Sequence, residues 1–170
     1  LFSDGIAAVI VLGDRRFSKN AKEFRFQAAQ SRLYYDSLDV MGWDFLDSGF
    51  KVIFARDIPA IINQNVRKDV EEFLKKQQLE LNDIKNFIFH PGGKKVLTAY
   101  EEALEREHDF LKYTREIMNE NGNMSSATVL YVLERFMEND FEDGLGLMLA
   151  LGPGFSCEMA LLDMHKGGKA

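Results

Sequence analysis

Two polar residues of this sequence stand at positions from which a side chain can reach a ligand. His90 ends a compact apolar segment, residues 84–89, and is followed by Pro91-Gly92-Gly93 ahead of a helical pattern. A junction of this kind presents side chains and backbone N–H groups to a ligand, and histidine is the usual acid–base residue near neutral pH. Asn123 lies in a polar turn before another helical pattern. Taken singly, each residue also fits a structural role, since histidines often end strands and asparagine tolerates turn and capping geometry.

Few other residues have the chemistry of a nucleophile or a metal ligand. Cys157 is the only cysteine, so the sequence has no CxxC motif and allows no intrachain disulfide. We expect it to be a buried structural thiol in a protein of the reducing, cytoplasmic compartment. The histidines, His90, His108 and His165, lack metal-ligand spacing. The sequence therefore predicts no metal site.

The composition is that of one soluble globular domain. Hydrophobic residues make up 46% of the 170 residues and charged residues 28%, which is enough for a substantial core. The net charge is −6 and the basic residues are interleaved with Asp and Glu, so we expect no nucleic-acid surface. No apolar run reaches the roughly 18 residues of a membrane span, and the first residues do not resemble a signal peptide.

Hydrophobic periodicity divides the chain into alternating strands and helices. Stretches rich in β-branched and aromatic residues predict strands, and apolar residues at helical spacing predict helices. The predicted strands are residues 7–12, 24–34, 50–54, 84–89, 145–151 and 156–164, with a hairpin around Met41-Gly42-Trp43-Asp44. The predicted helices are residues 59–79, a helix carrying Val96 to Leu104, residues 110–119, and a helix from about Ser126 with Ser125 or Ser126 as its N-cap. This alternation predicts an α/β sandwich, one domain over residues 1–170.

Four short motifs follow one another along the chain. They are Leu1-Phe2-Ser3-Asp4-Gly5, Phe89-His90-Pro91-Gly92-Gly93, Asn121-Gly122-Asn123-Met124-Ser125-Ser126-Ala127 and Gly152-Pro153-Gly154. Together they resemble the C-terminal half of the chalcone and stilbene synthase family, the type III polyketide synthases, and the Met-Gly-Trp-Asp pattern is more similar to bacterial alkylpyrone-type members. The resemblance implies a thiolase-like α/β fold, one half of a duplicated αβαβα architecture in which helices flank a layered mixed sheet.

The resemblance also implies catalytic roles. The family uses a Cys-His-Asn triad, in which His90 and Asn123 match the histidine and the asparagine, while the nucleophilic cysteine belongs to an N-terminal half that is absent here. Decarboxylation of a malonyl thioester produces an enolate, whose oxygen an imidazole N–H and a carboxamide N–H₂ stabilise without becoming charged. A protonated His90 would also pair with the cysteine thiolate and lower the pKa of that thiol. The implied reaction is an iterative decarboxylative Claisen condensation.

Residues around these two are implied to contact coenzyme A thioesters. Gly92 and Gly93 would let a narrow pantetheine arm run close to the backbone, although a turn before a helix needs the same residues. Lys94 and Lys95 would either approach the coenzyme A phosphates or only add solubility. Ser125 matches a family pocket residue beside the triad, or is only an N-cap.

Two departures from the plant members bear on the starter pocket. The resemblance implies that Val52 and the Gly152-Pro153-Gly154 turn take part in substrate binding. Val52 stands where those members carry an aromatic residue, and Ala150-Leu151 replace a Gly-Phe pair ahead of the turn. Smaller side chains at Val52 and Leu151 leave more room, so a preference for long aliphatic acyl-CoA starters, with alkylpyrone or alkylresorcinol products, is expected.

The implied substrates are malonyl-CoA and an acyl-CoA starter, and no covalently bound cofactor is expected. The expected partners are the protein's own N-terminal half and, for the full-length protein, a second copy in a homodimer. Two alternatives remain. A non-catalytic thiolase-like interaction domain is disfavoured by the presence of both His90 and Asn123, and half of a starter ketoacyl synthase, which uses an acyl carrier protein, is disfavoured by the Pro91-Gly92-Gly93 that follows His90.

Overall fold

A computed structural model describes residues 2–13 and 22–167, so Leu1 of the first motif lies outside the described residues. The elements follow in the order β1 (Glu23–Leu33), β2 (Met41–Leu46), β3 (Gly49–Phe54), α1 (Ile58–Lys76), β4 (Ile84–Phe89), α2 (Lys94–Leu104), α3 (Lys112–Asn121), α4 (Ala127–Glu138), β5 (Gly144–Gly152) and β6 (Ser156–His165). Short 3-10 turns at Leu81–Asp83 and His108–Leu111 precede β4 and α3.

A mixed sheet of four strands, in the order β1-β6-β5-β4, forms the centre of the fold. β4 and β5 are parallel, whereas β5 pairs with β6, and β6 with β1, in antiparallel fashion. A parallel pair needs a long crossover, and α2, α3 and α4 supply it between β4 and β5. β2 and β3 form a separate two-stranded hairpin.

Helices cover both faces of the four-stranded sheet, because side chains alternate between the faces along each strand. On one face, Phe87 and Phe89 of β4 belong to a buried cluster with residues of α1 and α2. On the other face, Ile88 packs in a second cluster with Ile117 of α3 and Val132 of α4. The predicted arrangement of helices flanking a mixed sheet is therefore confirmed.

The longest helix, α1, begins and ends where its sequence favours it. Pro59 lies in its first turn, where the missing N–H leaves no helical hydrogen bond unmade. Lys75 and Lys76 lie in its last turn, where positive charge interacts favourably with the negative end of the helix dipole. The helix stops short of the predicted Leu79 because Gln78 adopts a left-handed φ of +61°. Among the described residues, no helix is both long enough and apolar enough to cross a membrane.

Most predicted boundaries agree with the structure. β4 spans the six predicted residues, and β1, β3, β5 and β6 differ from prediction by no more than one residue at either end. The hairpin is confirmed, but Met41 to Asp44 lie within its first strand, and the turn is at residues 47 and 48. The predicted helix 110–119 begins as the 3-10 turn and becomes α-helical only at Lys112.

The predicted strand at residues 7–12 is wrong. This segment has no regular secondary structure, and its side chains are mostly exposed, with Ile10 at 88% and Val11 at 84%. A strand requires a neighbour to accept and donate its backbone hydrogen bonds, and no described strand lies beside this segment. Its β-branched composition alone therefore does not form one.

Gly146 of β5 provides a test of the packing between the sheet and the α3–α4 layer. A Cβ added there would lie 2.2 Å from Met164 Sδ and 3.3 Å from Ile88 Cδ1. Both neighbours are fully buried, so Gly146→Ala is expected to lower the free energy of unfolding by about 1–3 kcal/mol in urea denaturation. The control is Gly42→Ala, whose added Cβ meets nothing closer than 3.7 Å. Equal losses in the two variants would contradict this account of the packing.

Candidate active site

His90 lies immediately beyond the C-terminal end of β4. Its backbone N–H donates to the Leu149 carbonyl of β5 at 2.8 Å, which keeps the residue in line with the sheet. The ring is half-buried and has no hydrogen-bond partner among the described residues. Burial lowers the pKa of His90 from its ordinary 6.5 to about 4, because an imidazolium would lose hydration without gaining a partner. The ring is therefore neutral at pH 7, with one N–H available to donate.

The two glycines after His90 shape the loop that leads into α2. Gly92 adopts a φ of +56°, and a Cβ on it would lie 3.1 Å from Val96 Cγ1, so both conformation and space favour glycine. Gly93 is the N-cap of α2, and its carbonyl accepts from the N–H groups of Val96 and Leu97 at 2.9 and 3.1 Å. The chain thus leaves the sheet and enters the helix within three residues of His90.

The Asn123 side chain joins this loop directly. It is 3% exposed, and its Nδ2 donates to the Gly92 carbonyl at 3.0 Å. Its Oδ1 accepts from the Ser125 backbone N–H at 2.9 Å. The structure therefore brings together the two loops that carry the predicted histidine and asparagine, and it leaves the second N–H of the Asn123 carboxamide without a described partner.

The loop around Asn123 has a left-handed backbone at two residues and leads to the predicted cap of α4. Gly122 and Ser125 have φ values of +77° and +58°. Ser126 is the N-cap of α4, as predicted, but it is itself helical in conformation and its side chain makes no capping hydrogen bond. Instead, the Thr128 hydroxyl accepts from the Met124 N–H at 2.9 Å and donates to the Ser125 carbonyl at 2.8 Å.

Residues 2–5 lie across the same loop. The Ser3 N–H donates to the Asn123 carbonyl at 2.9 Å, and the Ser3 hydroxyl donates to the carbonyl of Asn121. Gly5 packs so closely against Met124 that an added Cβ would lie 2.4 Å from its Sδ. The first of the four motifs is therefore a brace for the third, which explains its small residues.

Val52 belongs to the hairpin beside this brace. The Phe2 ring meets the Phe54 ring edge-on with centroids 6.5 Å apart, and Val52, two residues before Phe54, lies on the same face of β3. Val52 pairs with Trp43 across the hairpin and is 37% exposed. An open, apolar face of the hairpin therefore begins next to the Asn123 loop.

The Gly152-Pro153-Gly154 turn contacts the start of that hairpin. The Gly154 N–H donates to the Met41 carbonyl at 2.9 Å, and the Ser37 hydroxyl donates to the Gly154 carbonyl at 3.3 Å. Within the described residues, neither this turn nor Val52 makes a hydrogen bond or ring contact with His90 or Asn123. The predicted site residues thus form two groups. One group lies on the His90 and Asn123 loops, and the other lies on the hairpin and the Gly152-Pro153-Gly154 turn that contacts it.

Cys157 has the character expected of a structural thiol. It is fully buried in β6, and burial raises its pKa from 9.0 to about 12. The thiol is therefore protonated at neutral pH and closed to a substrate. In the described part of the chain, no three His, Cys, Asp or Glu side chains are grouped so as to hold a metal ion.

Sequence reasoning missed residues that hold the two loops. Thr128 supports the Asn123 turn as described above, and Thr114 of α3 donates from its hydroxyl to the Phe89 carbonyl at 3.1 Å. The spacing of Thr128, three residues after Ser125, is a recognisable helix-start signal. Nothing in the local sequence marks Thr114, because its partner lies in a distant strand.

Three comparisons with known proteins agree with this arrangement. Residues 25–165 match the family described as chalcone and stilbene synthases, C-terminal domain. The chain is 47% identical over 172 residues to a Bacillus subtilis (strain 168) protein named "Putative chalcone synthase", covering 98% of this chain and 47% of that protein. It is 37% identical over 164 residues to the 1,3,6,8-tetrahydroxynaphthalene synthase of Streptomyces peucetius subsp. caesius, covering 95% of this chain and 44% of that enzyme.

A solved structure shows the same fold. The 1,3,6,8-tetrahydroxynaphthalene synthase of Streptomyces coelicolor A3(2), a bacterial type III polyketide synthase, superposes with a TM-score of 0.77 at 26% identity, over 86% of this chain and 42% of that one. The predicted thiolase-like α/β fold is thereby confirmed. The chain spans slightly less than half the length of the relatives it matches.

The low pKa of His90 can be tested by titration. We expect its ring to protonate near pH 4 in an NMR titration of this chain. Between pH 6.5 and 4, the unfolded chain then binds a proton that the folded chain does not, so stability is full above pH 6.5 and falls as the pH drops towards 4. Between pH 7 and 5, the free energy of unfolding of wild type should fall more than that of His90→Gln, by on the order of 1 kcal/mol. Protonation of His90 near its ordinary 6.5 would contradict the prediction.

Proposed function

Because the chain belongs to the chalcone and stilbene synthase family, as its C-terminal domain, we propose that it is the C-terminal half of a type III polyketide synthase. The full protein would condense malonyl-CoA, with loss of CO₂, onto an acyl-CoA starter. The observation that carries this proposal is the 3.0 Å hydrogen bond from Asn123 to Gly92, which joins the two loops that bear the proposed donors. Malonyl-CoA and acyl-CoA are the proposed substrates.

His90 and Asn123 are the proposed oxyanion donors. The low pKa of His90 keeps its ring neutral at pH 7, and Asn123 retains one carboxamide N–H beyond its bond to Gly92. Two neutral donors suit an enolate oxygen, because they stabilise the negative charge that develops without themselves losing a proton. Donors fixed in place before the reaction spend no free energy on reorganisation during it.

The nucleophile is proposed to come from another part of the protein. Cys157, the only cysteine, is fully buried with a pKa raised to about 12, so it is a poor source of thiolate. In the proposed reaction, a cysteine thiolate from the N-terminal half attacks the starter thioester and releases coenzyme A as its thiolate. Malonyl-CoA then loses CO₂, and its enolate carbon attacks the acyl thioester and frees the cysteine.

The exposed apolar surface supports a covering partner of this kind. Ile10 and Val11 in the unpaired segment are 88% and 84% exposed, and Phe45 and Phe50 in the hairpin are 77% and 72% exposed. Large apolar side chains exposed in this number mark surfaces that pack against other protein. We propose that the N-terminal half covers them.

The loop after His90 is the proposed path of the pantetheine arm. Gly92 and Gly93 carry no side chain to obstruct a narrow ligand, and Lys94 and Lys95 are exposed at the start of α2, where positive charge would meet phosphates. Ser125 is exposed next to Asn123 and is proposed to contact the substrate.

The family match does not favour a starter ketoacyl synthase, and no observation specifically favours a non-catalytic domain.

The first test of the proposal is malonyl-CoA decarboxylation by the full-length protein. Asn123→Ala should lower kcat by about a hundred- to a thousandfold, the effect of losing one oxyanion donor. The matched control is Asn121→Ala, since Asn121 is exposed and contributes only its backbone carbonyl to the loop. The 170-residue chain alone should show no condensation. Condensation by this chain alone, or equal losses in the two asparagine variants, would refute the assignment.

The second test concerns the starter acyl group. Val52 is small and partly exposed on the open hairpin face, so we propose that long aliphatic starters fit beside it, each buried CH₂ contributing about 0.8 kcal/mol. In competition assays on the full-length protein, Val52→Phe should lower kcat/KM for fatty acyl-CoA by about tenfold or more relative to an aromatic acyl-CoA. Ile53→Phe, on the other face of β3, is the control. A wild-type preference for aromatic starters would overturn this part of the proposal.

A further inference from the structure

Buried polar side chains are few in the described part of the chain, and half of them surround the candidate active site. The six are Ser37, Asp69, Asn86, Thr114, Asn123 and Thr128. Thr114 and Thr128 are both 0% exposed. A buried hydroxyl stabilises a protein less than a methyl group of the same size unless it makes hydrogen bonds that no other group makes. What these two hydroxyls bind is therefore informative.

Thr114 acts on the peptide group that precedes His90. Its hydroxyl donates to the Phe89 carbonyl at 3.1 Å, while the N–H of the same peptide, which belongs to His90, donates to Leu149 at 2.8 Å. β4 is at the edge of the sheet, so no described strand pairs with its outer side. The Thr114 hydroxyl therefore holds the Phe89 carbonyl, the group of this peptide to which the sheet gives no hydrogen bond.

Thr128 acts in the same way on the peptide group that follows Asn123. Its hydroxyl accepts from the Met124 N–H at 2.9 Å, and the carbonyl of that peptide, which belongs to Asn123, accepts from the Ser3 N–H at 2.9 Å. The hydroxyl also donates to the Ser125 carbonyl at 2.8 Å, which holds Ser125 in its left-handed conformation. Both polar groups of the peptide are thus fixed, as they are beside His90.

We propose that Thr114 and Thr128 are positioning residues that set the direction of the His90 and Asn123 side chains. This inference rests on the proposed function, because it concerns the aim of the two proposed oxyanion donors. Fixing a peptide group at both its N–H and its carbonyl removes the rotation that would swing the adjacent side chain. A donor displaced by a fraction of an ångström stabilises an oxyanion poorly.

The test separates positioning from simple stabilisation by using paired variants. Thr114→Val and Thr128→Val keep the shape of the side chain and remove the hydroxyl, whereas Thr114→Ser and Thr128→Ser keep the hydroxyl. Asn86→Ala is the stability control, because Asn86 is buried and hydrogen-bonded to Glu142 near the opposite end of β4. All variants are assayed below their unfolding temperatures.

In the full-length protein, each valine variant should lower kcat for malonyl-CoA decarboxylation by about ten- to a hundredfold with KM changed by less than about threefold. The serine variants should retain kcat within about threefold, and Asn86→Ala should lose stability but not kcat. Wild-type kcat in the valine variants, equal losses in the serine variants, or an equal loss in Asn86→Ala would overturn the proposal.

A second measurement does not depend on enzymatic activity. In NMR spectra of the 170-residue chain, Thr128→Val should shift the Asn123 carboxamide signals and speed their exchange with water, and Thr114→Val should shift the His90 ring signals. The serine variants should resemble wild type. If the full-length wild-type protein does not catalyse condensation of malonyl-CoA with an acyl-CoA starter, the proposed function fails. Unchanged Asn123 and His90 signals in the valine variants would by themselves overturn the positioning role.

Discussion

The hydrogen bond from the Asn123 carboxamide to the Gly92 carbonyl links two parts of the chain that fold on opposite faces of the sheet. The Gly92 loop is held by the end of β4 and the start of α2, and the Asn123 loop by the end of α3 and the start of α4. α2 belongs to the cluster on one face and α4 to the cluster on the other. The bond therefore joins loops that belong to different helix layers. Leaving the buried carboxamide unpaired would cost about 1–3 kcal/mol, so the geometry of the site and the completeness of the fold are energetically coupled.

The same constraint accounts for the brace formed by residues 2–5. This segment has no secondary structure, and Phe2 is half exposed at 52%, yet Ser3 binds two carbonyls of the Asn123 loop and Gly5 packs against Met124. Eight further residues, 6–13, continue as an almost wholly exposed apolar segment. The brace is thus held by the loop it supports, whereas the segment beyond it is mostly exposed and is bound at its start by the Tyr131 hydroxyl, which donates to the Ile6 carbonyl at 3.2 Å.

The sequence predicted the strands and helices well where each has a strong local pattern. The bounds of β4 follow from a compact apolar run that lies between polar residues and His90-Pro91, and sequence motifs mark both glycine-containing loops. The error at residues 7–12 arises because a strand depends on groups that lie far away in sequence. Val9 and Ile10 have the composition of a strand, but a strand also needs a neighbour. Ser126 is at the predicted N-cap of α4, but its side chain makes no capping hydrogen bond. Thr114 could not have been found, because its role exists only once β4 and α3 are side by side.

His90 and Asn123 differ in how they respond to a partner, and this difference follows from their surroundings. Asn123 does not titrate, and its two hydrogen bonds to backbone groups hold its orientation whatever lies opposite. His90 has no partner among the described residues, and burial alone lowers its pKa to about 4. A thiolate brought beside the ring would favour the imidazolium, and the imidazolium would favour the thiolate, so each group would shift the pKa of the other. Under the proposed function, an ion pair of this kind would form only when the cysteine proposed for the N-terminal half lies beside His90. This chain holds a neutral donor, whereas the proposed complete site would hold an ion pair before the thiol is acylated and a neutral donor afterwards.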